Sequence, residues 1–221
     1  MRAAVLFDLD GVLADSQATI TRCIQQAFVA EGHPEPSDDA VLAIIGPPTR
    51  IGFGQLLGLD PESPDVEACV TQYRTRYDTA LLETPSFAGV PEAVRELGSE
   101  FALGVATSKP EHYALQVLDA LGMRAAFDVV VGPGLTGTEG KSAMVQRAKE
   151  QLPGAFAMVG DRRPDMLAAV EHGLLAVGVT WGFGSVEELT EAGAEVLVGQ
   201  PDELVAVLRE AATRARLDTS S

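Results

Sequence analysis

The chain has few cysteines and no long apolar run, and each shortage excludes a class of protein. Its 2 cysteines, Cys23 and Cys69, are too few for a disulfide-built scaffold and lack the paired spacing of a zinc site. We expect both to be buried, reduced thiols. No apolar stretch approaches the roughly 20 residues that a membrane-spanning helix needs, and the short run at 3–7 is too short for a secretory signal. A soluble, cytoplasmic protein is therefore expected.

Basic residues are also scarce. There are 16 Lys and Arg against 32 Asp and Glu, which gives a formal net charge of -16. Because phosphate backbones and anionic membrane surfaces bind clustered basic residues, we expect neither nucleic acid nor membrane as a partner. A small phosphate can still bind such a protein where local cations, together with a metal ion, overcome the overall negative field.

The apolar segments that are present predict an α/β fold. A length of 221 residues allows an α/β core with a smaller additional domain. Short buried strands are predicted at 3–7, 101–107, 127–131, 156–160 and 174–179, with a possible sixth at 195–198. Helical patterns alternate with the later strands, at 90–97, 114–121, 142–151 and 165–172. This alternation predicts a doubly wound parallel sheet with helices on both faces.

One long segment departs from the alternation. Residues 15–84 have helical periodicity, Pro and Gly punctuation and no convincing strand. We expect an all-helical insertion there, with the α/β core formed by residues 1–14 and 85–221. At the other end of the chain, residues 214–221 lose apolar periodicity, so a frayed tail is predicted.

Two acidic residues follow the first predicted strand. In an extended segment, Asp8 and Asp10 project to the same side of the sheet, where their repulsion calls for a cation or a shared proton. The functional interpretation makes Asp8 a nucleophile that forms an aspartyl-phosphate, and Asp10 the acid and base for the leaving group and water. The alternative is a turn that ends the strand, which accounts for Asp10 and Gly11 but not for Asp8 inside the apolar run.

Three further strand ends have polar residues, at the edge where parallel sheets bind ligands. After the second strand, Thr107 can donate a hydroxyl to phosphate, and Ser108 either does the same or caps the next helix with Glu111. After the third, a glycine-rich loop leads to Lys141, which we interpret as a phosphate ligand rather than a surface charge. That loop does not have the spacing of a nucleotide-binding P-loop.

The fourth strand is followed by two more acids. Asp161 is placed to complete an oxygen-ligated magnesium site with Asp8. Asp165 either supports that site from behind the direct ligands, holds Lys141, or contributes favourable charge to the first turn of a helix.

In order and placement, these motifs resemble those of the haloacid dehalogenase superfamily, and within it the phosphoglycolate phosphatase-like subfamily. The motifs are Asp8 to Val12, Thr107 to Lys109, Lys141, and Gly160 to Asp165. The resemblance implies a doubly wound core with a helical cap at 15–84. It further implies that Asp8, Asp161 and the main-chain carbonyl of Asp10 bind Mg²⁺ while Thr107 and Lys141 bind phosphate.

By the same resemblance, the expected activity is Mg²⁺-dependent hydrolysis of a small phosphorylated metabolite through an aspartyl-phosphate. Phosphoglycolate is the first substrate to consider, since Arg50 in the cap can pair with its carboxylate. The alternative is that Arg50 is solvated and contacts no substrate. A nucleotidase, a pyrophosphatase, a sugar-phosphate phosphatase or a phosphomutase remain open alternatives. A non-catalytic binding protein is disfavoured because Asp8, Asp10, Thr107, Lys141 and Asp161 are all present. We expect a monomer or a homodimer.

Overall fold

The computed structural model describes residues 2–45, 48–134 and 139–218. Within those ranges the strands form one sheet in the order β3-β2-β1-β4-β5-β6, and every neighbouring pair is parallel. Their bounds are β1 Ala4–Phe7, β2 Ala102–Ala106, β3 Val129–Val131, β4 Ala155–Gly160, β5 Leu175–Val179 and β6 Val196–Val198. The predicted parallel sheet is confirmed, including its sixth strand.

The helices fall between and around these strands. Their bounds are α1 Gln17–Ala30, α2 Asp38–Ile44, α3 Thr49–Leu57, α4 Pro64–Ala80, α5 Val90–Glu100, α6 Glu111–Ala120, α7 Lys141–Gln151, α8 Arg163–Glu171, α9 Val186–Glu191 and α10 Pro201–Asp218. Short 3₁₀ turns lie at Leu81–Glu83 and Arg124–Ala126. Among the residues described, none of the helices has the length and apolarity that crossing a bilayer requires.

The last helix reaches into the predicted tail. Helix α10 is described from Pro201 to Asp218, residues 219–221 lie outside the described part of the chain, and the frayed tail at 214–221 stays a prediction. Apolar residues earlier in the helix bury one face at helical spacing, at Leu204, Val205, Leu208 and Ala212. Packing of that face holds the helix in place.

The sheet separates two hydrophobic cores. Alternate residues of a strand point to opposite faces, so Val5 and Phe7 of β1 join one core while Leu6 joins the other. The first core also takes buried residues from α5, α6 and α10, and the second takes them from α7, α8 and α9. Helices therefore cover both faces, and the strands are apolar on both sides, as a parallel sheet requires.

The stretch between β1 and β2 begins with helices that pack on one another. Helices α1, α3 and α4 share an aromatic cluster in which the ring centroids of Phe28 and Phe53 lie 5.4 Å apart and those of Phe53 and Tyr73 lie 5.6 Å apart. Cys23 and Cys69 are buried and unpaired in α1 and α4. Where the chain leaves and returns, Asp15 N donates to Pro85 O at 2.8 Å. That 15–84 forms a separate cap domain stays a prediction.

Candidate active site

Strand β1 lies in the middle of the sheet. Strands β2 and β3 are added on one side of it and β4, β5 and β6 on the other, so the order of connection switches sides between β1 and β4. In sheets of this kind, ligands bind beyond the carboxyl ends of the strands at this switch point. A cavity lies there between the strand ends and the helices of 17–83. Its lining includes most of the predicted site residues, namely Asp8, Asp10, Arg50, Thr107, Ser108, Lys141 and Asp165.

Lys141 links the ends of β1 and β2 to the first turn of α8. Its Nζ lies 2.6 Å from Asp8 Oδ1 and 2.9 Å from Asp165 Oδ1, and it donates to the carbonyl of Ala106 at 3.1 Å. Burial alone lowers the pKa of Lys141, but the Asp165 and Asp8 carboxylates more than offset this effect, so its pKa is raised. The residue is 6% exposed, and the alternative of a solvated surface lysine is therefore wrong.

Three carboxylates gather around that lysine. One oxygen from each of Asp8, Asp161 and Asp165 lies within 4.8 Å of the other two, and all three residues are buried. Burial raises the pKa of Asp8 to about 6; Lys141 opposes the increase and Asp165 adds to it. Burial, then Asp165 and then Asp8, raises the pKa of Asp161 well above its usual range. The three carboxylates thus carry more negative charge than the single positive charge of Lys141 can balance.

Glycines enclose the Asp161 carboxylate. Gly11 has a φ of 80°, and a Cβ added there would lie 2.0 Å from Asp161 Oδ2. A Cβ at Gly182 would lie 2.4 Å from Asp161 Cβ. Asp161 Oδ2 accepts a hydrogen bond from Phe183 N at 2.8 Å, whereas Oδ1 is buried and has no hydrogen-bond partner among the described residues.

These features fit a divalent cation. An orphaned buried carboxylate oxygen costs free energy, and a hard cation with a preference for oxygen ligands would satisfy it. The ion pairs and the carboxylate cluster of this site contain four negative side chains and two positive ones. The negative ones are Asp8, Asp10, Asp161 and Asp165, and the positive ones are Lys109 and Lys141. One divalent cation would balance the remaining two negative charges. The donor set therefore suits Mg²⁺ on chemical grounds.

Asp10 does not belong to that carboxylate cluster. Its Oδ1 accepts from Ser16 Oγ at 2.5 Å, and its Oδ2 pairs with Lys109 Nζ at 2.9 Å. The sequence interpretation assigned no role to Lys109 or Ser16. The position of Lys109 directly after Thr107 and Ser108 was the available signal, because a lysine at a strand end faces the same edge as its neighbours.

Thr107 and Ser108 both reach the cavity, but one alternative for Ser108 is wrong. Thr107 is buried, and its Oγ1 accepts from Lys109 N at 3.1 Å. Helix α6 begins at Glu111, and its preceding residue, Pro110, forms no side-chain cap. Because a residue before proline is disfavoured in helical geometry, the helix starts too late for Ser108 to cap it.

Asp165 combines two of its predicted roles and adds a cap. Besides pairing with Lys141, its Oδ2 accepts from the backbone N of Asp161 at 3.2 Å and of Arg162 at 3.0 Å. It thereby fixes the turn that contains Asp161.

Arg50 lines the cavity, but its guanidinium is paired with Glu67 of α4, so it is not simply solvated. Two residues just before it, Gly46 and Pro47, lie outside the described residues, as do 135–138 in the glycine-rich loop.

The raised pKa of Asp8 has a consequence for stability. In the metal-free protein, the native state binds a proton at Asp8 more readily than the unfolded chain does, since the pKa is about 6 against 3.8. We expect this residue to lower the free energy of unfolding as pH rises between those values, by up to about 3 kcal/mol. Denaturant titrations in EDTA across this range, on the wild type and Asp8→Asn, measure the effect. Parallel pH curves for the two proteins would contradict it.

The family model, the related sequences and the solved structures that this chain matches all indicate the same family. Residues 5–179 match the family model described as haloacid dehalogenase-like hydrolase. The chain is 34% identical over 215 residues to the probable phosphatase IndB of Dickeya dadantii, covering 93% of both chains. It is 38% identical over 191 residues to a 5'-nucleotidase of Pseudomonas aeruginosa, covering 84% of this chain and 86% of the relative.

A solved structure agrees with these relatives. The crystal structure of a protein from Clostridium acetobutylicum, described as a predicted phosphatase, superposes with a TM-score of 0.86 and 32% sequence identity. The match covers 95% of this chain and 99% of the other. The resemblance drawn from the strand-end motifs is confirmed. The chain belongs to the haloacid dehalogenase-like hydrolase family.

Proposed function

We propose that the protein is a Mg²⁺-dependent phosphatase that hydrolyses a small phosphomonoester through an aspartyl-phosphate on Asp8. The observation that carries the proposal is the contact between Asp8 and Lys141, 2.6 Å apart, beside Asp161 and Asp165 at the switch point of the sheet. The relatives named as phosphatases support the same reaction class.

The residues of the chain have distinct parts in this reaction. An Asp8 oxygen attacks phosphorus, the ester P–O bond breaks, and its electron pair stays on the leaving oxygen, which takes a proton from Asp10. Water then attacks the phosphorus of the aspartyl-phosphate, gives its proton to Asp10 and releases Asp8. Thr107 and Lys141 hold the phosphate oxygens. Mg²⁺, held by Asp8, Asp161 and the main-chain carbonyl of Asp10, would supply positive charge that offsets the phosphate charge.

Phosphoglycolate is the first candidate substrate, and a nucleoside monophosphate is the second. The first depends on Arg50, which lines the cavity and can exchange its partner Glu67 for a substrate carboxylate. The second is favoured by the 38% identity to a relative named 5'-nucleotidase, and by the commitment of Arg50 to Glu67.

A phosphate-release screen tests the proposal. Phosphoglycolate, nucleoside monophosphates, sugar phosphates and pyrophosphate are compared with and without Mg²⁺, and isomer formation from the sugar phosphates is measured in parallel. We expect phosphate release that requires Mg²⁺ and exceeds any isomer formation. Activity that persists in EDTA would contradict the metal requirement, and isomer formation in excess of release would indicate a phosphomutase.

Arg50→Ala is expected to raise KM about tenfold for phosphoglycolate while leaving KM for p-nitrophenyl phosphate nearly unchanged. The loss of one charge-assisted pair with a carboxylate weakens binding by about 1.5 kcal/mol or more. p-Nitrophenyl phosphate has no carboxylate for Arg50 to bind, so it loses no such pair. Steady-state kinetics on both substrates measure the difference. Glu67→Gln is the matched control, because it removes the partner of Arg50 but keeps Arg50, and it should not raise KM for phosphoglycolate. An equal effect of Arg50→Ala on both substrates would defeat the assignment.

A further inference from the structure

Lys109 is a buried lysine whose ammonium group forms an ion pair and a hydrogen bond. The residue is 8% exposed, and its Nζ pairs with Asp10 Oδ2 at 2.9 Å and donates to the Tyr77 hydroxyl at 2.6 Å. A buried ammonium is costly unless it is paired and hydrogen-bonded, so these two contacts determine where the side chain can lie. Both partners lie on the cavity, and Tyr77 comes from helix α4.

The Asp10 carboxylate is held from two sides as a result. Ser16 Oγ donates to Oδ1 at 2.5 Å, and Lys109 contacts Oδ2. An acid that must protonate a leaving oxygen works only within hydrogen-bond reach of it, and a small displacement is costly. Ser16 lies close to Asp10 in the chain, whereas Lys109 comes from the end of β2 and brings in a contact from another part of the fold.

Tyr77 is itself rigidly placed. It is 1% exposed, its ring stacks on Tyr73 with centroids 5.2 Å apart, and it meets the Tyr113 ring edge-on at 5.5 Å. A second bond joins the same two regions, because the Tyr113 hydroxyl of α6 donates to Asp78 of α4 at 2.5 Å. Helix α4 thus holds the Lys109 ammonium through a hydroxyl that cannot easily move.

We propose that Lys109, anchored by the Tyr77 hydroxyl, is a positioning residue that aims the Asp10 carboxylate at the leaving-group oxygen of the substrate. This inference rests on the proposed function, in which Asp10 is the acid that donates to that oxygen. It couples the placement of helix α4 to proton transfer. Lys109 itself neither attacks phosphorus nor gives a proton to the substrate.

The dependence of rate on the leaving group separates this role from a purely structural one. An alkoxide leaving group is strongly basic and needs a proton as the P–O bond breaks, whereas p-nitrophenolate departs without one. The value of kcat/KM reports the steps through formation of the aspartyl-phosphate, so the later hydrolysis step does not obscure it. Loss of acid positioning should therefore reduce kcat/KM for alkyl esters and spare kcat/KM for p-nitrophenyl phosphate.

The experiment measures kcat/KM of the wild type, Lys109→Met and Tyr77→Phe over a series of alkyl and substituted phenyl phosphates with Mg²⁺ present. For Lys109→Met we expect a loss of about 30-fold to 100-fold on alkyl esters and less than about 3-fold on p-nitrophenyl phosphate, since general acid catalysis contributes about 10² to 10⁴. Tyr77→Phe keeps the ring packing and removes only the hydroxyl, so a smaller loss with the same dependence on leaving-group pKa is expected.

Asp78→Ala is the matched control. It removes the neighbouring bond between α4 and α6 but leaves Lys109, Tyr77 and Asp10 in place, so its effect should be the same factor for every ester. Activity of Lys109→Met on p-nitrophenyl phosphate also shows that the variant folds. Equal losses on alkyl and aryl esters for Lys109→Met, or a p-nitrophenyl phosphate activity that disappears with the alkyl activity, would overturn the inference. A wild type without activity on any ester would instead overturn the proposed function.

Discussion

Asp8→Asn is expected to lower kcat at least about 1,000-fold on the best substrate, because an amide oxygen is a poor nucleophile for phosphorus. The substitution keeps the shape of a side chain that is held by Leu9 N at 2.7 Å and by Lys141 at 2.6 Å. It should therefore leave the fold, Thr107 and Lys141 in place. Phosphate release under saturating substrate measures the loss.

Two further measurements make this result specific. Acid-quenched wild-type protein should contain a fraction whose mass is increased by one phosphoryl group, and the Asp8→Asn protein should not. Asp15→Asn is the matched control, since this acid lies in the same segment but outside the lining of the cavity and outside the carboxylate cluster, and it should keep nearly full activity. An Asp8→Asn enzyme that retains full activity on the best substrate would show that the covalent mechanism is wrong.

The fold was accessible from sequence because strand signals and strand ends coincide. Short β-branched and aliphatic runs such as Val129–Val131 are bounded by polar or glycine residues, so each strand could be placed to within a few residues. Periodicity detects the buried face of a helix, and its loss at 214–221 is what predicted a frayed tail there. It does not detect where the backbone hydrogen bonds of a helix end, so the last residues of a helix are the hardest to predict.

The site was predictable where its residues follow strands directly. Parallel strands bring their carboxyl ends to one edge, so Asp8, Thr107 and Asp161 could be brought together without knowledge of the topology. The pairing of each carboxylate could not be predicted in this way. Lys109 contacts Asp10 and Tyr77, which are far apart in the chain, and no local pattern encodes a contact between three elements.

Arg50 shows the same limit from the helical side. The sequence predicts that Arg50 pairs with a substrate carboxylate or is solvated, and the structure puts it in the first turn of α3, on the lining of the cavity. Its pairing with Glu67 depends on how α3 packs against α4, which helical periodicity alone does not specify. Substrate choice is therefore the part of the function that sequence describes least.

Asp161→Asn is expected to abolish the stabilisation of the protein by Mg²⁺ and, at the same time, to make the metal-free protein more stable than the wild type. Asp161 is fully buried beside Asp8 and Asp165, its Oδ1 has no hydrogen-bond partner among the described residues, and burial and those neighbouring charges raise its pKa. A neutral amide of the same shape removes one of the repelling charges. It also provides an N–H that can donate to a neighbouring carboxylate.

Thermal unfolding in EDTA and in rising Mg²⁺ separates the two effects. A wild type at about 100 times its Kd for Mg²⁺ gains about 2.7 kcal/mol, which for a chain of this size is a rise in Tm on the order of 5–10 °C. The variant should start at a higher Tm in EDTA and show no rise. Asp128→Asn is the matched control, because this acid accepts from Leu103 N at the opposite edge of the sheet, so the variant should lose some stability and keep the Mg²⁺ response. A Tm of Asp161→Asn that still rises with Mg²⁺ as in the wild type would place the metal away from Asp161, and the carboxylate repulsion would then need another counterion.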